Sequence, residues 1–144
     1  MSIEDEYDKI YRYCYFKLRS RESAEDVTQE AFLRYFERFG DKDSAAVLYT
    51  IAKNLCIDRL RRMPFEPLDE EVLTASCEDE VVGRLTVRAA LEALPEGMRE
   101  ILLLRYANEL GISQIAGILG ISRFAVSRRL KAAEKSLREQ LMKG

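Results

Sequence analysis

Apolar residues recur at three- and four-residue spacing along most of this chain, and this period constrains its fold more than any other feature. No segment alternates apolar and polar residues over a useful length, so the pattern contains no candidate β-strand. Only seven Gly and three Pro occur among the 144 residues, which leaves long stretches free of helix breakers. The sequence therefore predicts an all-α protein. The first apolar stripe consists of Ile3, Tyr7, Ile10, Tyr11, Cys14, Tyr15 and Leu18.

An acidic segment interrupts the helical pattern near the middle of the chain. It carries Pro64 and Pro67 and shows no sustained period. Proline blocks the continuation of a helix, so we interpret this segment as a linker. The sequence thus predicts two small helical domains, residues 1–62 and 81–144, joined by the acidic linker 63–80.

Capping residues predict where the helices begin and end. Ser and Asp side chains accept the unpaired N–H groups of a first turn, and Pro is favoured at the first helical position. Gly40 suits a helix end, because glycine adopts the left-handed backbone found there. The candidate starts are Ser23 with Asp26 as a capping box, then Asp43 or Ser44, Pro95, Ser113 and Ser122.

The chain has no histidine, and its charge is unevenly distributed. It therefore lacks the commonest general base and the commonest transition-metal ligand, which argues against a hydrolase or metalloenzyme and predicts no cofactor. The formal net charge is −2, but residues 98–144 hold nine Lys and Arg against four Asp and Glu, a local charge of +5. Local positive charge attracts phosphate even in an acidic protein, so this part of the chain is the candidate nucleic-acid surface.

Cysteine usage and the N-terminal sequence bear on the cellular compartment. Cys14, Cys56 and Cys77 are odd in number and far apart, so we do not expect a disulfide framework. The N-terminus has no basic segment followed by an apolar run, and no apolar stretch approaches bilayer length. We therefore expect a cytoplasmic protein without a membrane segment.

Residues 112–130 have the chemistry of a helix-turn-helix. Ala116 is small where two helices must cross closely, and Gly120 can adopt the positive φ of a sharp turn. With the apolar residues buried, the second helix keeps one open face that suits the major groove of DNA. The alternative is a helical hairpin with a solvated basic face, but the small residue, the turn glycine and the apolar positions together favour DNA binding. The predicted contacts are Arg123, Phe124, Ser127, Arg128 and Lys131.

Three stretches resemble, in order, the motifs of extracytoplasmic-function sigma factors, which are promoter-specificity subunits of bacterial RNA polymerase. Residues 94–106 (LPEGMREILLLRY), with the helix-turn-helix after them, are similar to the family's domain for the promoter −35 element. Residues 24–34 (AEDVTQEAFLR) are similar to its helix that binds core polymerase, and residues 48–62 (LYTIAKNLCIDRLRR) to its −10-element helix. The resemblance covers nearly the whole chain outside the linker.

The resemblance implies a role for each domain. Residues 1–62 correspond to sigma region 2, which binds core polymerase and the −10 element, and residues 81–144 correspond to sigma region 4. Tyr49 suits core packing and base stacking equally well. A solvated helix face would explain the acidic residues of the stretch 24–34, but the neighbouring motifs favour docking of this stretch on core polymerase. Polymerase contacts then fall on Asp26, Gln29, Glu30 and Arg34, and −10 contacts on Lys53, Asn54, Arg61 and Arg62.

The implied partners are core polymerase, promoter DNA and an anti-sigma factor. On the polymerase, the expected sites are the clamp helices of the largest subunit and the flap of the second-largest subunit. The chain itself would be a monomer when free and no enzyme, because bond formation belongs to the polymerase.

Two other functions fit parts of the sequence. A conventional helix-turn-helix regulator would form a two-fold dimer on a palindromic site, whereas a sigma factor binds core polymerase one to one. An enzyme would use the acidic runs 69–71 or 78–80 as metal ligands, although solvated linker charge explains these runs more simply.

Overall fold

A computed structural model describes residues 3–40, 44–62 and 82–143. Within these ranges the backbone forms seven α-helices and no strand, as the apolar period predicts. A short π-helical segment, Leu103–Ala107, continues the fifth helix. The predicted linker 63–80 lies outside the described residues. The helices are α1 (Ile3–Leu18), α2 (Arg21–Phe39), α3 (Ala45–Arg62), α4 (Val82–Glu92), α5 (Glu96–Leu102), α6 (Ile112–Leu119) and α7 (Arg123–Lys143).

The ends of α2 and the start of α3 follow the predicted chemistry with one correction. Ser20 caps α2 by accepting the backbone N–H of Ser23 at 3.3 Å, so the prediction that Ser23 caps this helix is wrong. Gly40 ends α2 with a φ of 58° and donates its N–H to the Phe36 carbonyl at 3.0 Å, as predicted. Ser44 caps α3 by accepting an N–H of its first turn at 3.4 Å, and Asp43, the other candidate cap, lies outside the described residues.

The helix-turn-helix also forms with one correction. Gly111 precedes α6 and donates its N–H to the side chain of Gln114 at 2.9 Å, so Ser113 is not the cap. Gly120 has a φ of 69°, the left-handed conformation that the sharp turn requires. Ser122 caps α7, because its Oγ accepts an N–H of the first turn at 3.0 Å. The positions of α6 and α7 are therefore set by local signals.

The helices α1, α2 and α3 pack on one another around buried apolar and aromatic side chains. Tyr13 and Tyr49 are both buried, and their rings meet edge to face with centroids 5.7 Å apart. Tyr49 is therefore a core residue in this conformation, which decides between packing and base stacking. The other fully buried residues of this group, among those that the structure describes, are Ile10, Cys14, Ala24, Thr28, Ala31, Ala52 and Cys56.

The second half packs α5 and α6 against the long helix α7. Pro95 immediately precedes α5, so the helix begins one residue later than the sequence predicts. The π-helical segment ends at Asn108, whose N–H donates to the Leu103 carbonyl at 2.9 Å. The buried residues of this half, among those that the structure describes, are Ala90, Leu94, Ile101, Leu102, Leu104, Asn108, Leu110, Ile115, Ala116, Ile118, Val126, Leu130 and Ala133.

The two halves are in direct contact. α3 packs against α6, and α1 packs against the π-helical segment. Buried side chains from both halves form one continuous hydrophobic cluster. The candidate DNA-binding motif therefore lies against the helices of the first half in this conformation.

Candidate functional site

The solvent side of α7 carries the predicted DNA contacts. Val126, Leu130 and Ala133 are buried against α5 and α6, and this fixes which side of the helix faces outward. The side chain of Phe124 is 76% exposed. The three basic residues of the predicted set are exposed and the serine is half-buried. The structure thus brings together Arg123, Phe124, Ser127, Arg128 and Lys131 on one open face.

An aromatic–cation contact organises the first turns of α7. The Arg128 guanidinium carbon lies 5.9 Å from the centroid of the Phe124 ring. An exposed contact of this kind stabilises by about 0.5–1 kcal/mol and restricts the arginine rotamers. A guanidinium held in this way can bond both acceptors of a guanine edge, and a phenyl ring can contact a thymine methyl group. The chemistry of this face therefore suits the reading of bases in a major groove.

Charged side chains on α2 lie exposed at the surface. Arg34 pairs with Glu30 at 2.9 Å within the helix. Asp26 pairs across to Arg59 of α3 at 3.3 Å, so this carboxylate also joins two helices. Gln29 is exposed, which leaves its amide available to a partner. All four predicted polymerase contacts thus lie on the outside of α2.

Two exposed apolar side chains accompany these charges, and the sequence reasoning missed them. Leu33 is 63% exposed and Phe36 is 43% exposed, three residues apart on α2. Apolar side chains left in solvent beside charged residues are typical of protein–protein contact sites. A signal existed, because both residues fall outside the stripe that Ala31, Phe32 and Tyr35 form at helical spacing.

The predicted −10 contacts on α3 differ in their exposure and in their bonding partners. Asn54 and Arg61 are exposed and lie seven residues apart, on the same side of the helix. Arg62 is exposed and pairs with Asp58 at 3.1 Å. Lys53 is engaged by the other half of the molecule, because its Nζ donates to the Ile118 carbonyl of α6 at 3.1 Å. The structure therefore separates Lys53 from the other three.

The described residues show neither a metal site nor a membrane-spanning helix. No group of three or more Cys, Asp or Glu in the described ranges could hold a metal ion, and the acidic runs 69–71 and 78–80 lie outside them. Among the described helices, none has the length and apolar character needed to span a membrane. Cys14 and Cys56 are buried free thiols.

Comparisons with known proteins match two successive stretches of the chain to two sigma-70 regions. Sigma-70 region 2 matches residues 3–63, and sigma-70 region 4 matches residues 84–137. The ECF RNA polymerase sigma factor SigW of Bacillus subtilis is 35% identical over 156 residues, which cover 93% of this chain and 83% of SigW. The ECF RNA polymerase sigma factor BldN of Streptomyces coelicolor is 32% identical over 151 residues, which cover 94% of this chain and 57% of BldN.

A solved structure has a similar fold. The sigma factor RpoE of Bartonella quintana, crystallised with the anti-sigma factor NepR, matches with a TM-score of 0.68. The match covers 95% of this chain and 92% of that chain at 17% identity, so the likeness concerns the fold alone.

Proposed function

Because the chain belongs to the ECF RNA polymerase sigma factors, it directs promoter recognition by RNA polymerase, and we propose that α2, α3 and α7 divide this work. In this proposal α2 binds core polymerase, α3 contacts the −10 element, and α7 enters the major groove of the −35 element. The observation that carries it is the open face of α7, where a basic and aromatic surface lies directly over a buried apolar stripe.

The −35 proposal assigns different tasks to side chains of α7. Arg128 and Phe124 lie in the first two turns, the part of a recognition helix that approaches base edges. Lys131 lies one turn further along, where a side chain approaches the phosphate backbone. Arg123 and Ser127 complete the contact surface on one side of Phe124 and Arg128.

The −10 proposal concerns the exposed side of α3. Asn54 can bond the edge of an unstacked base, because its amide both donates and accepts. Arg61 and Arg62 carry the positive charge that binds the backbone of a single strand. Lys53 joins this set once it is released from the Ile118 carbonyl.

The polymerase proposal combines charged and apolar residues of α2. Gln29 and Glu30 offer polar contacts to the basic clamp helices of the largest subunit, and Leu33 and Phe36 supply apolar area beside them. Replacing Gln29 and Glu30 together by alanine should weaken binding to core polymerase. It should change the free energy of unfolding by less than about 0.5 kcal/mol, as expected for surface positions.

A matched variant controls for the loss of surface charge. Asp5 and Asp8 are exposed carboxylates on α1, and replacing both by alanine should leave core binding intact. The measurement is a titration of labelled protein with core polymerase. Normal binding by the Gln29 and Glu30 variant would refute the assignment, and a loss of helicity would show that these residues serve the fold.

We also propose the remaining partners on the resemblance. The second half would contact the polymerase flap, and an anti-sigma factor would regulate the protein, as NepR accompanies the related RpoE. An apolar groove of about 440 Å³ between α1 and the second half is a candidate site for that partner. Its lining includes Phe16, Val87, Leu91, Leu103, Tyr106 and Leu137.

We propose further that the free protein is a cytoplasmic monomer that catalyses no reaction and needs no cofactor. The rival function, a dimeric helix-turn-helix regulator, predicts a two-fold dimer on a palindromic site. Light scattering of the free protein together with a pull-down by core polymerase distinguishes the two. A stable dimer that does not bind core polymerase would favour the regulator.

The division into 1–62, the linker 63–80 and 81–144 is also a proposal. The acidic, proline-containing composition of the linker and the two separate sigma-70 matches support it. Limited proteolysis of the full chain should cleave first within 63–80 and leave two helical fragments. A first cut elsewhere, or uniform resistance, would contradict the division.

A further inference from the structure

Four contacts between a cation and an aromatic ring occur among the described residues, and in three of them the cation is also paired with a carboxylate. The charge of each of these three cations is therefore balanced within the protein, and the contact serves the fold. The three are Lys17, which pairs with Glu100 at 2.8 Å, and Arg19 and Arg99, which lie 3.9 Å and 3.8 Å from Glu92.

The fourth contact, between Arg128 and Phe124, has no such carboxylate. The guanidinium carbon lies 5.9 Å from the ring centroid, and in the part of the chain that the structure describes no Asp or Glu pairs with this arginine. Both side chains are exposed, the phenylalanine by 76%. The ring thus holds the guanidinium in place, while its charge and its N–H donors remain available to a bound partner.

The two residues, which we call the ring–cation unit, stand on a well-fixed part of α7. They are one helical turn apart, so both side chains project from the same side of the helix. Val126 lies between them in sequence and is fully buried on the opposite side. Ser122 fixes the start of the helix, because its Oγ accepts the backbone N–H of Ala125 at 3.0 Å. The unit is therefore oriented by the fold before any DNA is bound.

The geometry of base recognition relates the two side chains to neighbouring base pairs. An arginine that recognises guanine lies in the plane of that base and donates to its O6 and N7 atoms. Successive base pairs are about 3.4 Å apart, so a ring held against the face of the guanidinium lies at the level of the next pair. A phenyl ring neither donates nor accepts a conventional hydrogen bond. The group that suits it there is the methyl group of thymine, which projects into the major groove.

We propose that the ring–cation unit recognises a step of two base pairs, a guanine next to a pair that contains thymine, and that Phe124 determines specificity at both. The inference rests on the proposed binding of α7 to the −35 element and deepens it by naming the bases. Arg128 bonds to the guanine edge. Phe124 contacts the thymine methyl group and also orients Arg128, so the preferences at the two positions are coupled.

Substitutions at the two positions should therefore have different patterns. Arg128→Ala should relax the preference for guanine alone, whereas Phe124→Ala should relax the preferences for guanine and for thymine. Phe124→Leu keeps an apolar contact but has no ring, so it should keep the thymine preference and lose part of the guanine preference. Phe124→Tyr keeps the ring and should retain both. Met142→Ala is the matched control, since it removes another exposed apolar side chain of α7, at the far end of the helix.

A selection experiment identifies the bases. Core polymerase with the full-length protein binds a duplex DNA library randomised across the promoter region, and the bound DNA is sequenced. The proposal predicts that the enriched −35 motif contains a guanine next to a thymine-containing pair, and that Phe124→Ala loses both positions. A −35 motif without this step would overturn the inference and leave the proposed function intact. Failure of the wild-type holoenzyme to enrich any −35 motif would refute the proposed role of α7 itself.

Base analogues in the selected duplex then test each contact. Uracil in place of the thymine removes the methyl group and should weaken wild-type binding about fourfold, the effect of one buried methyl group. It should leave binding by Phe124→Ala unchanged. 7-Deazaguanine removes the N7 acceptor and should weaken wild-type binding by about fivefold or more, but should leave Arg128→Ala unchanged. A Phe124→Ala variant that is still sensitive to uracil would show that another residue contacts the methyl group, and would overturn the proposal.

The coupling between the two side chains has its own measurement. The loss that 7-deazaguanine causes should be smaller in Phe124→Ala than in the wild type, and Phe124→Tyr should restore it. The midpoint of thermal unfolding should be the same in all these variants, because the ring is exposed. An undiminished 7-deazaguanine effect in Phe124→Ala would show that the ring does not orient Arg128. A lowered unfolding midpoint would show that the ring serves the fold, and either result would contradict the proposal.

Discussion

The two candidate DNA surfaces differ in how completely they are exposed. On α7, all five predicted side chains lie on an open face, and the residues that hold the helix belong to the same half of the chain. On α3, Lys53 is bound to a carbonyl of the other half, whereas Asn54 and Arg61 are exposed. The proposed −35 surface is thus fully accessible in this conformation, whereas the proposed −10 surface has one of its residues, Lys53, bound to the other half.

This difference assigns separate physical tasks to the two helices. A preformed recognition helix loses little conformational entropy when it binds DNA, so its affinity depends on its own contacts. A covered helix must first break the contacts that cover it, so its affinity also depends on residues that never touch DNA. Substitutions on α7 should therefore act locally, and substitutions near α3 should act through the interface between the halves.

The largest expected effect is on the core beneath the α7 surface. Val126→Asp places a carboxylate in a fully buried position, which should cost about 3 kcal/mol or more of unfolding free energy. Ser127→Asp, one residue further on the half-buried open side, should leave stability nearly unchanged but weaken DNA binding by repelling phosphate. Chemical denaturation and promoter binding measure the two effects. Similar stability of the two variants would contradict the orientation of α7.

The next effect concerns base reading by α7. Arg128→Ala in the holoenzyme should cost about 1–3 kcal/mol of promoter binding and relax selectivity at one −35 position. Lys131→Ala should weaken every sequence alike and lower the salt dependence by about one charge. Binding to promoter variants across salt concentrations separates the two roles. An equal loss on all sequences for Arg128→Ala would show that this arginine orients the helix and reads no base.

Two glycines of the helix-turn-helix should respond in opposite directions. Gly120 has a φ of 69°, so Gly120→Ala should cost roughly 1–2 kcal/mol of unfolding free energy. Gly117 lies within α6, where a Cβ would make an ordinary contact with Ala46. Gly117→Ala should therefore stabilise the folded protein by up to about 1 kcal/mol. Thermal unfolding of the full chain checks both, and destabilisation by Gly117→Ala would show that the α3–α6 contact is closer than described.

The smallest effect distinguishes two basic residues of α3. Arg61→Ala removes only an exposed charge, and should weaken promoter binding and reduce its salt dependence by about one charge. Lys53→Ala removes a charge that is already bound to the Ile118 carbonyl of the other half, so its net loss of promoter binding should be smaller, about 0.5 kcal/mol or less. Holoenzyme binding to one promoter at several salt concentrations compares them. A larger loss of promoter binding for Lys53→Ala than for Arg61→Ala would mean that the bond from Lys53 to α6 contributes little free energy.

The helices and the outward face of α7 could be predicted from the sequence, because both depend on local spacing. Buried residues at three- and four-residue intervals, with Gly120 at the turn, are enough to orient Arg128 and its neighbours outward. Local reasoning failed at the cap of α2. The turn before α2 places Arg19 at a φ of 59°, a conformation that the presence of an arginine does not predict. Ser20 therefore caps the helix in place of Ser23.

Which of the predicted contact residues are accessible could not be predicted, because their accessibility depends on long-range packing. Lys53 bonds to a carbonyl 65 positions away in the chain, and Asn108 bonds to one 99 positions away. The exposure of Leu33 and Phe36 likewise depends on where the other helices pack. Helical periodicity shows which side of a helix is apolar, but not which helix covers it. That choice is made by the packing of surfaces from distant parts of the chain, and here it places the helix-turn-helix over one side of the −10 helix.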